Sequence, residues 1–380
     1  METSKRIGGL FMLKKTLICT FFVSIVFYAG CTNTQSDESD SYINGVDSPP
    51  VYEIFIEDLS GLPTETLPKE FIYKYSVERN HLQVSLSDGV IFYDRIPISD
   101  NLHSDEFELI AYNTRTGESK IIYHHSEAFY RNLSVCEDNA FWLVFGEDYW
   151  KIMRYNMTDN ELSVLRQSNP YIDDALPVLF GGFKRYFFWN EYPLEEIGNC
   201  FAYDVKNGEI FELELPERYA ESPFVPNACV GDSVFYIKKQ FETGRFSIVE
   251  VNIKSNEILF EVEIPTKAVA VYCNGEEIMW KTSFEANEIK QLFVYSIIEN
   301  KYYTLNAKHE QFAFECMGGN WIAWRNENNE DRYDVFFFNT KTWDKYVYTA
   351  EYNEIKYPRS SASGDVFILG LDNIMMINLP

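Results

Sequence analysis

One short motif recurs along this chain at nearly constant spacing, and it limits the fold more than any other property. An apolar or aromatic residue is followed by Asn, Asp or Ser and then by a short polar turn. The motif is centred on Asn113 (AYNTRTGE), Asn156 (RYNMTDNE), Asp204 (AYDVKNGE), Asn252 (EVNIKSNE), Ser296 (VYSIIENK) and Asn339 (FFNTKTWD), with a truncated copy at Asn378. The steps between copies are 43, 48, 48, 44, 43 and 39 residues. Asn and Asp bond their own backbone two residues on, and Gly or Asn tolerates positive φ, so these residues make a chain reverse. A second series of tight turns runs in phase with the first, at Gly89, Asn139, Gly182, Asp232, Gly275, Gly319 and Asp365. Each is followed by a short apolar run: VIFY, AFWLVF, RYFFW, SVFYI, EIMW, NWIAW and VFILG.

Apolar runs of that length without alternation read as strands covered on both faces. Two phased series with a period of about 45 residues read as stacked supersecondary units. Each unit parses as four antiparallel strands; in the second these are 131–136, 140–145, 150–155 and 161–166. Four-stranded units in radial repetition make a β-propeller, in which the second strand of each blade is sandwiched between its neighbours. The expected fold class is therefore all-β, a seven-bladed propeller. The last unit lacks a fourth strand, and EFIYKYS (70–76) resembles the other outer strands. That N-terminal strand is expected to complete the seventh blade and close the ring, which removes an open sheet edge. VYEIFIED (51–58) is one more strand without a place, and it leaves six or eight blades open.

The formal charge of −25 argues against nucleic acid, which is bound with a Lys and Arg surplus. Hydrophobic residues at 46% and aromatics at 17% are ample for one domain over residues 51–380. A monomer is expected.

The first thirty residues read as an export signal. Lys14 and Lys15 precede the apolar run 17–28, which is short for a membrane span. YAGC (28–31) resembles the bacterial lipobox, whose cysteine is diacylated and becomes the first mature residue; Tyr28 stands where Leu is usual. The resemblance implies residues 1–30 as a lipoprotein signal peptide and Cys31 as the lipidation site. It also implies an extracytoplasmic location, anchored to a bacterial membrane by lipid. Residues 31–50 are polar and acidic and read as a flexible tether.

The repeat resembles those of bacterial quinoprotein-like and TolB-like propellers. Ala111, Asn113, Thr116 and Gly117 match the quinoprotein pattern, as do Ala202, Asp204 and Gly208. Ile121 stands where that pattern has Trp, and the second copy also lacks it. The resemblance therefore implies the architecture without the quinone, and no cofactor is expected.

Chemistry is harder to place. Of seven cysteines, Cys136, Cys229, Cys273 and Cys316 sit just before second-series turns, on strands nearest the axis. They read as small buried apolar residues rather than ligands for a soft metal. No CxxC spacing supports zinc. His124 and His125 are adjacent and read as a surface loop. Residues 325–334 (RNENNEDRYD) read as a solvated hairpin loop rather than a calcium loop. Trp142, Trp189, Trp280, Trp321 and Trp324 fall in or beside second strands and read as inter-blade packing. Both turn series lie on one face of the disk. The other face carries the second-to-third strand loops, including 94–106 and 190–199, whose lengths vary as binding loops do. The candidate contact residues there are Asp148, Tyr149, Trp150, Tyr192 and Glu195. The function expected is a non-enzymatic scaffold for a protein or glycan. The alternative is a carboxylate-dependent hydrolase or lyase acting on glycans through Asp148, Glu191, Glu195 or Glu196, although acidic residues are too many to single out a pair.

Overall fold

The structure, a computed structural model, describes residues 56–379 apart from 77–83, 88, 96–106, 126–128, 147–148, 169–175, 184, 193–198, 214–227, 240–244, 266–267, 283–290, 307–312, 327–331, 352–356, 361–365 and 370–372. The described residues form seven sheets in a ring, each with four antiparallel strands, a seven-bladed β-propeller. Blade two runs Phe129–Cys136, Asn139–Phe145, Trp150–Asn156 and Glu161–Gln167, within a few residues of the limits expected from sequence. The export signal, Cys31 and the tether lie outside the described residues. Among the described residues no helix is long and apolar enough to cross a membrane.

The repeated turn forms for the reason its composition implies. The Asn113 carboxamide oxygen accepts from the N–H groups of Arg115 and Thr116 at 2.9 and 3.1 Å. Asp204, Asn252 and Asn339 repeat this bond with the residues two and three positions on. The fourth residue after each adopts positive φ. It is Gly117, Asn160, Gly208, Asn256 or Asn300 in five blades, and Trp343, at φ 63°, in the sixth. The Trp343 ring stands edge-on to Tyr303 of blade five, with centroids 5.6 Å apart, and this contact accompanies a conformation that bulky residues seldom adopt.

Burial follows strand rank. The second strand of blade two is buried from Asn139 to Val144, whereas its outer strand alternates exposed and half-buried positions. Trp142, Trp189, Trp280 and Trp324 are each at most 1% exposed, and Trp321 is 7% exposed, as packing residues should be. Seven apolar clusters occupy the seven blade boundaries. One joins Phe92 and Leu109 to Trp142 and Val144, and another joins Phe141 and Leu143 to Phe187 and Trp189. The ring closes where Leu86, Ile91 and Ile110 of blade one meet Phe367 and Ile374 of blade seven.

The closing strand is where the sequence places it. Ile72–Ser76 pairs antiparallel with Asn373–Ile377 and is the outer strand of blade seven. The extra strand does not add a blade. Ile56–Asp58 lies parallel to Lys301–Asn306 as a fifth strand on blade five. Glu65–Thr66 does the same on Lys345–Glu351 of blade six. The N–H groups of Leu59 and Leu67 donate to the carbonyls of Thr304 and Val347, both at 2.8 Å, and both side chains are buried. The N-terminal segment thus forms a strap across the rim of blades five and six before it closes blade seven.

Candidate binding face

Strand order puts the second-to-third loops opposite the repeated turns. On that face the described residues are mainly strand ends, and these carry paired charges. Arg95 Nε donates to Glu108 Oε2 at 2.9 Å in blade one. Lys238 pairs with Glu261, and Arg245 with Glu263, in blade four. Arg166 of blade two grips Glu191 of blade three through two bonds of 2.9 and 3.0 Å. The Trp189 indole N–H also donates to Glu191, at 2.9 Å.

The shortest loop is framed by Gly146 and Tyr149. The Gly146 N–H donates to the Tyr149 carbonyl at 2.8 Å. A Cβ on Gly146 would lie 2.2 Å from the Tyr149 ring, so glycine is required for the ring to lie over the main chain. Tyr149 is 36% exposed, and the Lys151 ammonium sits 4.6 Å from its centroid. The partly exposed ring is thus held from two sides, and that suits it to contact.

Its neighbour corrects the sequence expectation. Trp150 is 4% exposed and packs with Ile152, Phe187 and Trp189. Its N–H and carbonyl are both bonded to Ser168, at 2.9 and 3.0 Å. It belongs to the boundary between blades two and three. Glu191, one of the candidate carboxylates, pairs with Arg166 across the same boundary. Tyr192 ends the strand Tyr186–Tyr192 at this face. Asp148, Glu195 and Glu196 lie outside the described residues. His124 and His125 end the outer strand Ser119–His125 rather than lying in a loop, and His124 is exposed. Of residues 325–334, 325–326 and 332–334 belong to the strands Trp321–Asn326 and Arg332–Asn339, and 327–331 lie outside the described residues.

A second polar cluster, on the turn face, is absent from the sequence expectations. The Asp204 side chain is fully buried and accepts from Arg185 Nε at 2.9 Å and Asn207 Nδ2 at 3.1 Å. Arg185 Nη1 reaches across to Asp232 of blade four at 3.1 Å. The Tyr186 hydroxyl and Lys254 Nζ also donate to Asp232, at 2.6 and 2.9 Å. Burial pushes the Asp204 carboxyl up, but Arg185 and the Lys206 and Asn207 N–H groups outweigh it and hold the acid below its usual range. The bonds from Tyr186 and Lys254 hold Asp232 low as well. Burial and the bond to Asp232 push the Tyr186 phenol up. The two carboxylates are tied to one arginine across the boundary, which suits a clamp between blades three and four. Asp204 and Asp232 are visible in the sequence as turn formers. Their shared arginine is not, because Arg185 meets Asp232 only after two blades pack.

Cys136, Cys200, Cys229, Cys273 and Cys316 are free thiols. Cys200 lies in a third strand, Asn199–Asp204, and the other four lie in first strands. Burial raises the Cys200 and Cys229 thiols well above their ordinary value and Cys273 to about 12, which disfavours the thiolate a soft metal needs. Among the described residues no group of three or more His, Cys, Asp or Glu is placed to hold a metal ion.

No protein-family model matches the sequence, and no curated protein sequence matches it. Solved structures match in fold. A prolyl endopeptidase aligns with TM-score 0.52 at 9% identity, over 80% of this chain and 50% of that one. An uncharacterized protein of Listeria monocytogenes aligns with TM-score 0.52 at 10% identity, over 78% and 91%. TolB of Acinetobacter baumannii aligns with TM-score 0.42 at 10% identity, over 71% and 65%. The chain thus spans half the length of the endopeptidase and slightly under two thirds of TolB. At these identities the likeness is one of fold, and it is carried by the two alignments at TM-score 0.52.

Proposed function

We propose that this protein is an extracytoplasmic, lipid-anchored propeller that acts as a non-enzymatic binding scaffold. The observation that carries the scaffold reading is the way charged strand ends on the loop face are used. Arg166 and Glu191 join blades two and three there, and Tyr149 is held partly exposed between Gly146 and Lys151. A face whose strand ends are held by ion pairs, within blades one and four and between blades two and three, presents its loops on a rigid frame, as binding surfaces require. The N-terminal signal pattern ending at Cys31 supports the anchor and the location. Metabolic labelling with palmitate is expected to mark the wild type and to be lost in Cys31→Ser. Proximity crosslinking from the loop face is expected to capture a protein or glycan. Failure to capture any partner, together with turnover of a glycan or ester lost in Glu195→Gln, would instead establish the hydrolase or lyase reading.

A further inference from the structure

We propose that the outer edge of blade three, the strand Glu209–Leu213, is a docking edge for an extended cationic segment of a partner protein, which adds to it as a parallel fifth strand. The proposal rests on the scaffold reading but places a partner on the rim rather than on the loop face. Its basis is a comparison of the seven outer edges.

An outer strand with free main-chain groups is a template for another strand, and proteins protect such edges with bulges, charges or cover. Blades one, two and four are bulged. Their outer strands break register at Ile122, Leu165 and Leu259, between the pairs flanking each. A bulge leaves an unpaired residue and twists the edge away. Blades five and six are regular and are covered by Ile56–Asp58 and Glu65–Thr66. Blade seven is regular, but Lys74, exposed at the centre of its outer strand, repels a cationic segment. Blade three is regular over all five pairs, from Asp204↔Glu209 to Cys200↔Leu213. Among the described residues no strand lies on its open side.

The repeat also fixes which atoms are on offer. The strap N–H groups of Leu59 and Leu67 reach the carbonyls of Thr304 and Val347. Each acceptor stands eight positions after its own turn residue, Ser296 or Asn339. The residue eight positions after Asp204 is Glu212. All three hairpins have the same loop length and unbroken register, so the Glu212 carbonyl points outward as those of Thr304 and Val347 do. By the alternation of an antiparallel ladder, the N–H and C=O of Ile210 face outward too. Blade three therefore repeats the acceptor geometry that its own chain fills on blades five and six.

Charge selects the occupant. Glu209 and Glu212 are exposed, and Ile210 between them is 47% exposed. Glu209 and Phe211 share one face of the strand and Ile210 and Glu212 the other, so a segment of Lys-apolar-apolar-Lys order complements both faces. A second copy would set these glutamates against each other on a chain of net charge −25. The chain's own residues 32–50 contain Asp and Glu and no Lys or Arg, and are repelled likewise.

The test measures fluorescence anisotropy of a labelled peptide of repeated Lys-Val-Val-Lys order, added to the full chain in detergent. Saturable binding is expected. It should weaken about tenfold or more when alternate peptide nitrogens are N-methylated, which removes strand pairing but keeps charge. Ile210→Pro removes an outward donor without cutting the inner ladder and is expected to weaken binding similarly; Glu212→Lys serves if that variant does not fold. Equal binding of the N-methylated peptide, or unchanged binding by both variants, overturns the proposal. So does concentration-dependent dimerisation in ultracentrifugation that Ile210→Pro abolishes, which would assign the edge to a second copy. Peptide binding that appears only after deletion of residues 32–50 would assign it to the chain itself. A partner crosslinked to the loop face while the peptide fails to bind sinks the edge and leaves the scaffold reading standing. Absence of any partner sinks both.

Discussion

Arg185 shows how a single side chain can belong to two blades. It spans Asp204 of its own blade and Asp232 of the next, so truncating it strands a fully buried carboxylate. Breaking one partner of a buried pair costs about 3 kcal/mol or more. Arg185→Met is therefore expected to lower the melting temperature clearly at pH 7. The sign of the pH dependence follows from the depressed acids. Asp204 and Asp232 sit below their ordinary values, so their contribution is present above about pH 4 and is lost as pH falls through their folded values. The gap between wild type and Arg185→Met should narrow in acid, and thermal melts from pH 7 to pH 3 read it directly. A gap that stays constant over that range would show the arginine acting through packing alone. At this scale the sequence was partly legible. Asp204 and Asn113 announce their turns because an Asx side chain satisfies its own backbone, and a local cause leaves a local pattern. Trp343 at positive φ and Trp150 in the core were not legible. Both are settled by what lies across a blade boundary, and that information is spread over forty residues or more.

Elements were read more completely. Second strands betray themselves because burial on both faces forces an unbroken apolar run, as in Asn139–Phe145. The strap was not readable, since Ile56–Asp58 and Glu65–Thr66 are too short to show a period and obtain their partners from strands some 250 residues away. Its anchoring side chains nevertheless carry energy. Leu59 and Leu67 are 5% and 3% exposed, and Leu→Ala at such sites costs about 2–5 kcal/mol. Leu67→Ala is expected to destabilise the chain within that range in urea titration, and Leu59→Ala to do so comparably. A change below about 0.5 kcal/mol for both would show the strap to be decoration on a ring already stable without it.

At the scale of the whole molecule, seven boundary clusters form a circuit that closes only when Ile72–Ser76 meets Asn373–Ile377. Deleting residues 373–380 removes that meeting and leaves two strand edges and the cluster around Ile374 open. The truncated chain is expected to bind an apolar dye and to associate in size-exclusion chromatography, where the full chain elutes as one species. A monodisperse truncated chain without dye binding would mean the ring holds shape unclosed. The closure itself was legible, because a missing fourth strand at one end and a surplus strand at the other can be counted. The loop face was less so, since its lengths vary and no residue pattern repeats there.

The shared seventh blade also bears on how the chain is made. Its outer strand is among the first of the propeller's strands to be synthesised, and its other three are the last. A product that extends past Ser76 but stops before Asn373 therefore carries that outer strand without its partner. Only a chain that has reached Asn373–Ile377 can pair that strand, so blade seven waits longest for its neighbours.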